Sequence, residues 1–466
     1  MATSIISSSE LLDAGEASAW EERIFQEACA WAREKAEGML QRWDDRLLAE
    51  KPDGWQVVGF RERVVMTRFG EVQVRRRLYK DEDGHGRFLL DEHLGLPPRQ
   101  LATPAIAEKA VEVATEIGFV KTGELFESLT EGVLSAMSIW RLLQDTGARR
   151  LAEERAEGKA VYEEGQSPRE SGQRIVERLF IEGDGVWVRL QREGKAWAEI
   201  KVGIAYEGWE PLAEARAGYA LVGKRIYVHG VENLSFWEGA SLSWSHHWDL
   251  SRIGEIVLGG DGADWIQRGS AHFAASIWQL DGFHLARACR RAVGRDFGCL
   301  LFQAIREGRW EEAAQLWQEA PKRKKSTARR AQRWVETCLI RRQGADWRIE
   351  RGEESVTLRG LGAMEGNNAH FIAQRMKGKG RSWSLRGALH MAKVRELVQN
   401  RTFHTWYRTP KPPPASPEEH MLKSTKRKPR DVASWLRVQV PILHSADSQQ
   451  DWVRNLRRHI NGHRLN

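Results

Sequence analysis

The sequence predicts an α/β protein built on a mixed sheet, with a helical region ahead of the sheet and an all-helical insertion within it. Three observations lead there. Three runs rich in apolar and β-branched residues follow one another at short intervals, over 179–190, 195–208 and 224–231. A Trp-rich helical stretch (234–250) then separates them from two further short apolar runs, Glu255-Ile-Val-Leu-Gly-Gly260 and Ser276-Ile-Trp-Gln-Leu280, with another helix between. Finally, 101–149 and 285–347 carry their apolar residues at helical spacing. The 466 residues, 41% hydrophobic and 29% charged, supply core for two to four folding units.

In chain order, residues 18–50 predict one long helix. Trp20, Ile24, Ala28, Trp31, Met39, Trp43 and Leu47 recur mostly three and four apart, with charges between them. Such a stripe either meets a partner or, more often, packs on its own protein, and the second reading is preferred. Two alternating runs, 55–66 and 71–78, joined around Arg68-Phe69-Gly70, predict a hairpin bearing Arg61, Arg63, Arg75, Arg76 and Arg77. These arginines are either a solvated face or a surface for DNA phosphates, and the next segment favours DNA.

That segment begins with Thr103-Pro104, a helix start with Thr as cap and Pro in the first turn; Ile106, Ala110, Val113 and Ile117 form its apolar face. A short helix over 122–129 follows, then a turn at Gly132, then a helix capped by Ser135 with Ile139, Leu142 and Leu143 inside. This is the outline of a helix-turn-helix, in which Met137, Ser138, Arg141 and Gln144 are free to touch DNA. Any small helical bundle shares that outline, so it gains meaning only beside the strands downstream. Residues 151–172, charged and poor in bulky apolar side chains, read as a helical or flexible linker.

From Gln173 the three consecutive strands predict an antiparallel meander, followed by α–β–α–β. That order matches the ribonuclease H-like fold, in which the first and fourth strands are neighbours. Glu182 and Asp184 lie within the first strand, where a buried carboxylate is costly unless it is paired or metal-bound. The fourth strand ends in Gly-Gly-Asp261-Gly, where glycines let the chain turn sharply and leave the carboxylate at the strand end. Adjacent strands would unite Asp184 and Asp261 across 77 positions of sequence. Two such carboxylates predict a site for hard divalent cations, which prefer oxygen ligands. Glu365, where turn chemistry gives way to helical spacing, offers a third; Glu353 and Glu354 stand in a charged turn and read as solvated surface. Glu182 either assists the site or is simply paired.

The helical insertion contains Lys322-Arg-Lys-Lys325, Arg329-Arg330 and Arg341-Arg342. Beyond Tyr407, Thr409-Pro-Lys-Pro-Pro-Pro-Ala-Ser-Pro417 reads as a stiff linker ahead of a basic tail with Lys426-Arg427-Lys428. Of the net charge of +8, residues 408–466 hold +7, with 12 Lys or Arg against 5 Asp or Glu. A polyanionic partner suits this distribution.

Four blocks, in a fixed order, carry a resemblance: Glu182-Gly-Asp184-Gly-Val-Trp187, Gly260-Asp261-Gly-Ala-Asp-Trp-Ile266, Gln279-Leu-Asp281-Gly-Phe-His284-Leu285 and Glu365-Gly-Asn-Asn-Ala-His370. They resemble the DDE transposases of bacterial insertion sequences, above all the ISLre-type group, distant kin of the Mutator-like transposases. Arg375-Met376, Trp383-Ser384, Gly387, His390-Met-Ala-Lys-Val-Arg395 and Arg68-Phe-Gly-Glu-Val-Gln-Val-Arg-Arg-Arg-Leu-Tyr79 also fit, so the likeness runs from about Arg61 to Arg395. It implies Asp184, Asp261 and Glu365 as catalytic ligands of two Mg²⁺ (or Mn²⁺) ions. Double-stranded DNA, both transposon ends and target, is the implied partner, bound by a homo-dimer or larger assembly. Asp281 and His284 resemble an Asp-x-x-His element that positions DNA near the active site; a core hydrogen-bonding His is the plain alternative. Further DNA contacts are expected from Arg75, Arg76, Arg77, Ser138, Arg141, Gln144, Lys324, Lys325, Arg329, Arg330, Lys426, Arg427 and Lys428.

Several classes are disfavoured. The N-terminal residues lack the basic start and apolar core of a secretory signal, and no uncharged apolar run approaches the ~20 residues of a membrane helix. Cys29, Cys289, Cys299 and Cys338 form no Cys-x-x-Cys pair. A bacterial, cytoplasmic, nucleoid-associated protein is expected. A non-catalytic DNA-binding regulator descended from a transposase is the main alternative, against which the filled carboxylate triad speaks. A glycosidase-like carboxylate pair is another, against which the basic tail and the helix-turn-helix speak. The expected division is 1–98 (helix and basic hairpin), 99–149 (helix-turn-helix), 150–172 (linker), 173–284 and 350–408 (two parts of the core), 285–349 (insertion) and 409–466 (tail).

Overall fold

Helix α1 (Ala14–Ala49) leans on a hairpin of β1 (Gln56–Thr67) and β2 (Gly70–Lys80), to which a short β3 (Gly86–Arg87) and α2 (Leu89–His93) are added. The computed structural model describes residues 14–409 apart from 99, 169–170, 213–217, 233, 274–275, 351, 353–358 and 379. Gly70, at φ 103°, makes the hairpin turn that the sequence predicts. Val72 and Val74 of β2 face Ala36, Leu40 and Leu47 of α1. The buried stripe is thus Cys29, Ala36, Leu40 and Leu47, while Trp20 (59% exposed), Ile24 (57%) and Trp31 (63%) point to solvent. This corrects the expectation that the whole aromatic stripe packs on its own protein. The hairpin meets only the later turns of α1, and there small side chains let the helix come close.

Three helices follow, α3 (Pro104–Glu116), α4 (Phe119–Leu129) and α5 (Ala136–Tyr162). Ser135 caps α5 as expected, its Oγ accepting from the Ser138 N–H at 3.1 Å. Thr103 stands at the cap of α3 but makes no side-chain capping bond there. The charged stretch after residue 150 is helix as far as Tyr162, because Leu151, Glu154 and Glu157 of α5 are buried.

The main sheet is built from β4 (Arg178–Arg189), β5 (Trp197–Tyr206), β8 (Arg225–Val228), β9 (Glu255–Gly260) and β10 (Ser276–Leu280). A small hairpin, β6 (Gly208–Pro211) with β7 (Tyr219–Val222), interrupts it and is not foreseen in the sequence. The order is β10-β9-β4-β5-β8; β9 runs parallel to both β4 and β10, and β5 is antiparallel to both its neighbours. Helix α6 (Phe236–Ser245) and the short α7 (Asp264–Gln267) and α8 (Gly269–His272) belong to this core.

An insertion of α9 (Gly282–Val293), α10 (Arg295–Arg306), α11 (Trp310–Glu319) and α12 (Ser326–Ile340) has its own apolar centre around Leu285, Leu301, Ile305 and Val335. After α13 (Trp347–Glu350), the chain returns through α14 (Met364–Asn368), a π-helical turn over Ala369–Ala373 and α15 (Gln374–Met376) to α16 (Leu385–Gln399) and α17 (Phe403–Arg408).

Alternate residues of β4 serve two cores. Leu179 and Ile181 meet Trp237, Trp244 and Trp248, whereas Phe180, Val186 and Val188 join a cluster with Ile106 and Ala110 of α3, Leu143 of α5 and Val394 of α16. The helices ahead of the sheet and the sheet itself therefore share one core. Gly147 of α5 explains part of this: a Cβ there would stand 2.5 Å from the His390 Cβ and 2.6 Å from its Cα. Buried charges complete the seam, with Lys393 Nζ lying 2.6 Å from Glu154 and 3.0 Å from Glu396. Among the described residues no helix is long and apolar enough to cross a membrane.

Candidate functional site

One rung of the sheet organises the site. The pairing of β4 with β9 ends at Gly183 opposite Gly260, and β10 meets the same rung with Leu280. The next residue on each strand is an aspartate: Asp184, Asp261 and Asp281. All three strands are parallel, so three acids come to one level, Asp184 within β4 and Asp261 and Asp281 just past the ends of β9 and β10, although 97 positions separate the first from the last. With Glu182, His284 and Glu365 they line one cleft.

The glycines before Asp261 serve a different purpose from the sharp turn expected. Gly259 and Gly260 remain in the strand, and their missing side chains make room. A Cβ on Gly259 would come within 2.5 Å of Leu361, and one on Gly260 within 2.6 Å of Ile266. The turn itself falls at Gly262, where φ is 88°.

Each acid is held differently. Asp184 accepts from its neighbour's N–H (Gly185, 2.7 Å) and from the Asn368 side-chain amide (2.6 Å). Burial, with the charge of Asp261 adding to it, pushes its carboxyl above the usual range despite those bonds. Asp261 accepts from the Ala263 N–H at 2.9 Å. Asp281 caps α9, accepting from the His284 N–H at 2.9 Å with the imidazole Nδ1 3.3 Å away. Burial raises its pKa, but these bonds prevail and hold it below the ordinary carboxylate range. His284 is shifted upward, chiefly by its bond to Asp281; burial opposes, and Asp184 and Asp261 add to the rise. Glu365 is the second residue of α14, exposed, and among the described residues nothing donates to it.

These side chains fit hard divalent cations. Asp184 keeps unused lone pairs, Asp261 and Glu365 keep more, and every donor is a carboxylate oxygen. They do not close into a single-ion cage: among the described residues only Asp81, Asp83 and His85, in the turn after β2, bring three candidate ligand atoms within 4.8 Å of one another. In the Asp81 turn the carboxylate accepts the His85 N–H at 2.7 Å, which accounts for that grouping.

Comparison with known proteins places this geometry in a family. Residues 16–406 match the model described as "Uncharacterised protein family (UPF0236)". The chain belongs to UPF0236. A Streptococcus gallolyticus relative, "UPF0236 protein in vanSb 3'region", is 27% identical over 388 residues, covering 80% of this chain and 81% of its own. A UPF0236 protein of Caldanaerobacter subterraneus subsp. tengcongensis is 23% identical over 382 residues, covering 79% and 74%, and its name joins eleven locus designations. Another from that organism, 24% identical over 373 residues and covering 76% and 72%, joins four.

The other expected residues of this UPF0236 chain separate into two groups. Arg75, Arg141, Lys324, Lys325, Arg329 and Arg330 are exposed, and Ser138 is half-buried at the start of α5. Two expectations are corrected. Gln144 is buried, its Oε1 2.9 Å from the Nδ1 of His390, so it faces α16 and is not free to touch DNA. Arg76 is buried too, paired at 2.8 Å with Asp91 and lying over Phe88, while Arg77 is held by Asp44 (2.6 Å) and Asp45 (2.8 Å). Both arginines fasten the hairpin to its helices. Lys426, Arg427, Lys428, Glu353 and Glu354 lie outside the described residues. Sequence reasoning misses Asn368, although it stands inside the Glu365-Gly-Asn-Asn block; nothing in sequence marks which Asn faces Asp184.

Proposed function

We propose that this UPF0236 chain is a DDE-type transposase, which binds the ends of its own insertion sequence and catalyses metal-dependent DNA strand cleavage and strand transfer. The observation that carries this reading is the shared rung: Asp184 and Asp261 each follow the last paired rung of neighbouring parallel strands, and Glu365 lines the same cleft. The strand order, with β5 antiparallel between β4 and β8, supports a ribonuclease H-like core. The relatives add independent support, since one protein name joining eleven loci of a genome is what copies of a moving element leave behind.

Asp184, Asp261 and Glu365 would hold two Mg²⁺ or Mn²⁺ ions. When bound, these supply a clamp on the attacking and leaving oxygens and activate water or a DNA 3′-hydroxyl. Asn368 and the Gly185 N–H fix the orientation of Asp184. His284, kept protonated more readily by Asp281, offers the cleft a cation for a DNA phosphate next to the scissile one. Arg75 on the hairpin, Arg141 near the start of α5 and the exposed Lys324, Lys325, Arg329 and Arg330 of the insertion are suited to backbone contacts, with Ser138 at the reading end. Joining two ends of an element calls for at least two copies of the chain.

Cleavage of end-bearing duplex with Mg²⁺ or Mn²⁺ tests the reading. Asp184→Asn, Asp261→Asn and Glu365→Gln should each abolish cleavage while leaving DNA affinity within about threefold, because affinity comes mostly from distant phosphate contacts. Full cleavage by Asp261→Asn would defeat the assignment. Binding to element ends with no cleavage by the wild-type chain under any divalent cation would favour a regulator instead.

A further inference from the structure

We propose that Glu182 is the positioning residue for the third carboxylate: buried in β4, it holds the loop from which Glu365 enters the cleft. The inference rests on the metal-site reading above, and it gives Glu182 a role distinct from that of a ligand. Four donors converge on this side chain. The Tyr206 hydroxyl donates to Oε1 at 2.6 Å and the Ala363 N–H to the same oxygen at 3.2 Å. The N–H groups of Gly362 and Met364 donate to Oε2 at 3.0 and 3.2 Å. A carboxylate offers about four acceptor sites. All are taken, so Glu182 has none left for a cation although it precedes Asp184 by two residues on the same face.

Those three N–H groups open α14, whose cap residue, Ala363, has no side chain able to satisfy them. Glu182 supplies the missing cap from about 180 positions away. Asn368, at the other end of α14, donates to Asp184. The short helix is therefore tied to β4 at both ends, with Glu365 between the ties. Gly259, opposite Glu182 in the sheet, leaves the space through which Leu361 brings the loop in.

Glu182→Gln keeps the size of the side chain but turns one acceptor into an NH₂ group, which must face a donor. In the full-length protein, calorimetric titration with Mn²⁺ alone should show affinity reduced about tenfold or more, the usual effect of losing a support behind a metal ligand. The Mg²⁺ concentration for half-maximal cleavage should rise in parallel. A residue that merely stabilised the fold would lower the active fraction and leave that concentration unchanged. Tyr206→Phe removes the donor outside the loop and should keep Mn²⁺ affinity within about twofold. Ala363→Pro is a second variant: φ is −72° at this position, which proline accepts, and one N–H to Glu182 disappears. It should weaken Mn²⁺ binding with Glu182 still in place. If Glu365→Gln binds Mn²⁺ like the wild type, the third-ligand reading fails. If Glu365→Gln loses affinity while folded Glu182→Gln and Ala363→Pro retain it, the positioning role alone is overturned.

Discussion

Asp184 is placed where both burial and a neighbouring charge oppose its ionisation. A carboxyl with a raised folded-state pKa stabilises the fold least when it is charged. Its penalty is absent below the unfolded value, near 3.8, grows as pH rises above that value, and is complete once pH passes the folded one. Without divalent metal, Asp184→Asn should therefore raise the urea midpoint at neutral pH, with the gain vanishing near pH 3.8. The same variant should lose cleavage, the trade expected where a site is kept strained for its work. A lower midpoint for metal-free Asp184→Asn at pH 7 would refute this account. Glu182, two residues earlier, is likewise pushed upward by burial, but four donors occupy its oxygens and tie it to the loop that carries Glu365. Sequence alternation places the two acids on one face but has no means of separating their roles, because Glu182's partners lie in a loop about 180 positions away.

At the scale of elements, glycines inside helices distinguish contacts that yield from contacts that do not. Replacing an interior helical Gly by Ala gains about 1 kcal/mol in propensity. At Gly147 the added methyl would meet His390 Cα at 2.6 Å and its carbonyl oxygen at 2.9 Å. Overpacking against backbone costs about 1–3 kcal/mol, so Gly147→Ala should be net destabilising in a chemical melt. At Gly158 the nearest atoms are the side-chain tips of Leu234, at 2.5 and 2.8 Å, which can rotate away. Gly158→Ala should be near neutral, and a larger loss there than at Gly147 would contradict the packing described. Most elements are legible in the sequence because their periods are long. The helix over 18–50, the hairpin and the strands of the main sheet all fall close to the expected ranges. The β6–β7 pair escapes notice because four-residue strands carry too little alternation to register. The stripe on α1 misleads for another reason: helical spacing identifies apolar faces but does not say how far along the helix a partner extends.

For the molecule as a whole, the shared core decides what can be cut away. Contacts divide the chain after Tyr407, whereas no such division falls near residue 150. Ending the chain at Tyr407 removes a net charge of +7. Such a protein should stay folded and cleave, with a flatter dependence of DNA affinity on salt, since fewer counterions are released. Deleting residues 1–149 would instead sever α5 within its length and strip Ile106, Ala110 and Leu143 from the main core; insoluble protein is the expected outcome. The aspartate pair is legible because two Gly-Asp-Gly signals accompany neighbouring strands, one within β4 and one at the end of β9. Asn368 and the buried partners of Gln144 are not, since each depends on a contact spanning more than 180 positions.

Helix α5 runs unbroken for 27 residues from its Ser135 cap, bolted to α16 by Gly147 and by the buried Lys393. A joint of that kind acts as a ruler. If the start of α5 reads the element end, the distance in base pairs from the sequence read to the phosphate cut is set by the fold and does not breathe with a tether. It also has a phase. Inserting about five base pairs, half of the 10–10.5 in a helical turn, would carry the scissile phosphate to the far side of the duplex. End substrates lengthened in single base-pair steps should then lose cleavage abruptly, without the gradual decline that a flexible connection between reader and cutter would give.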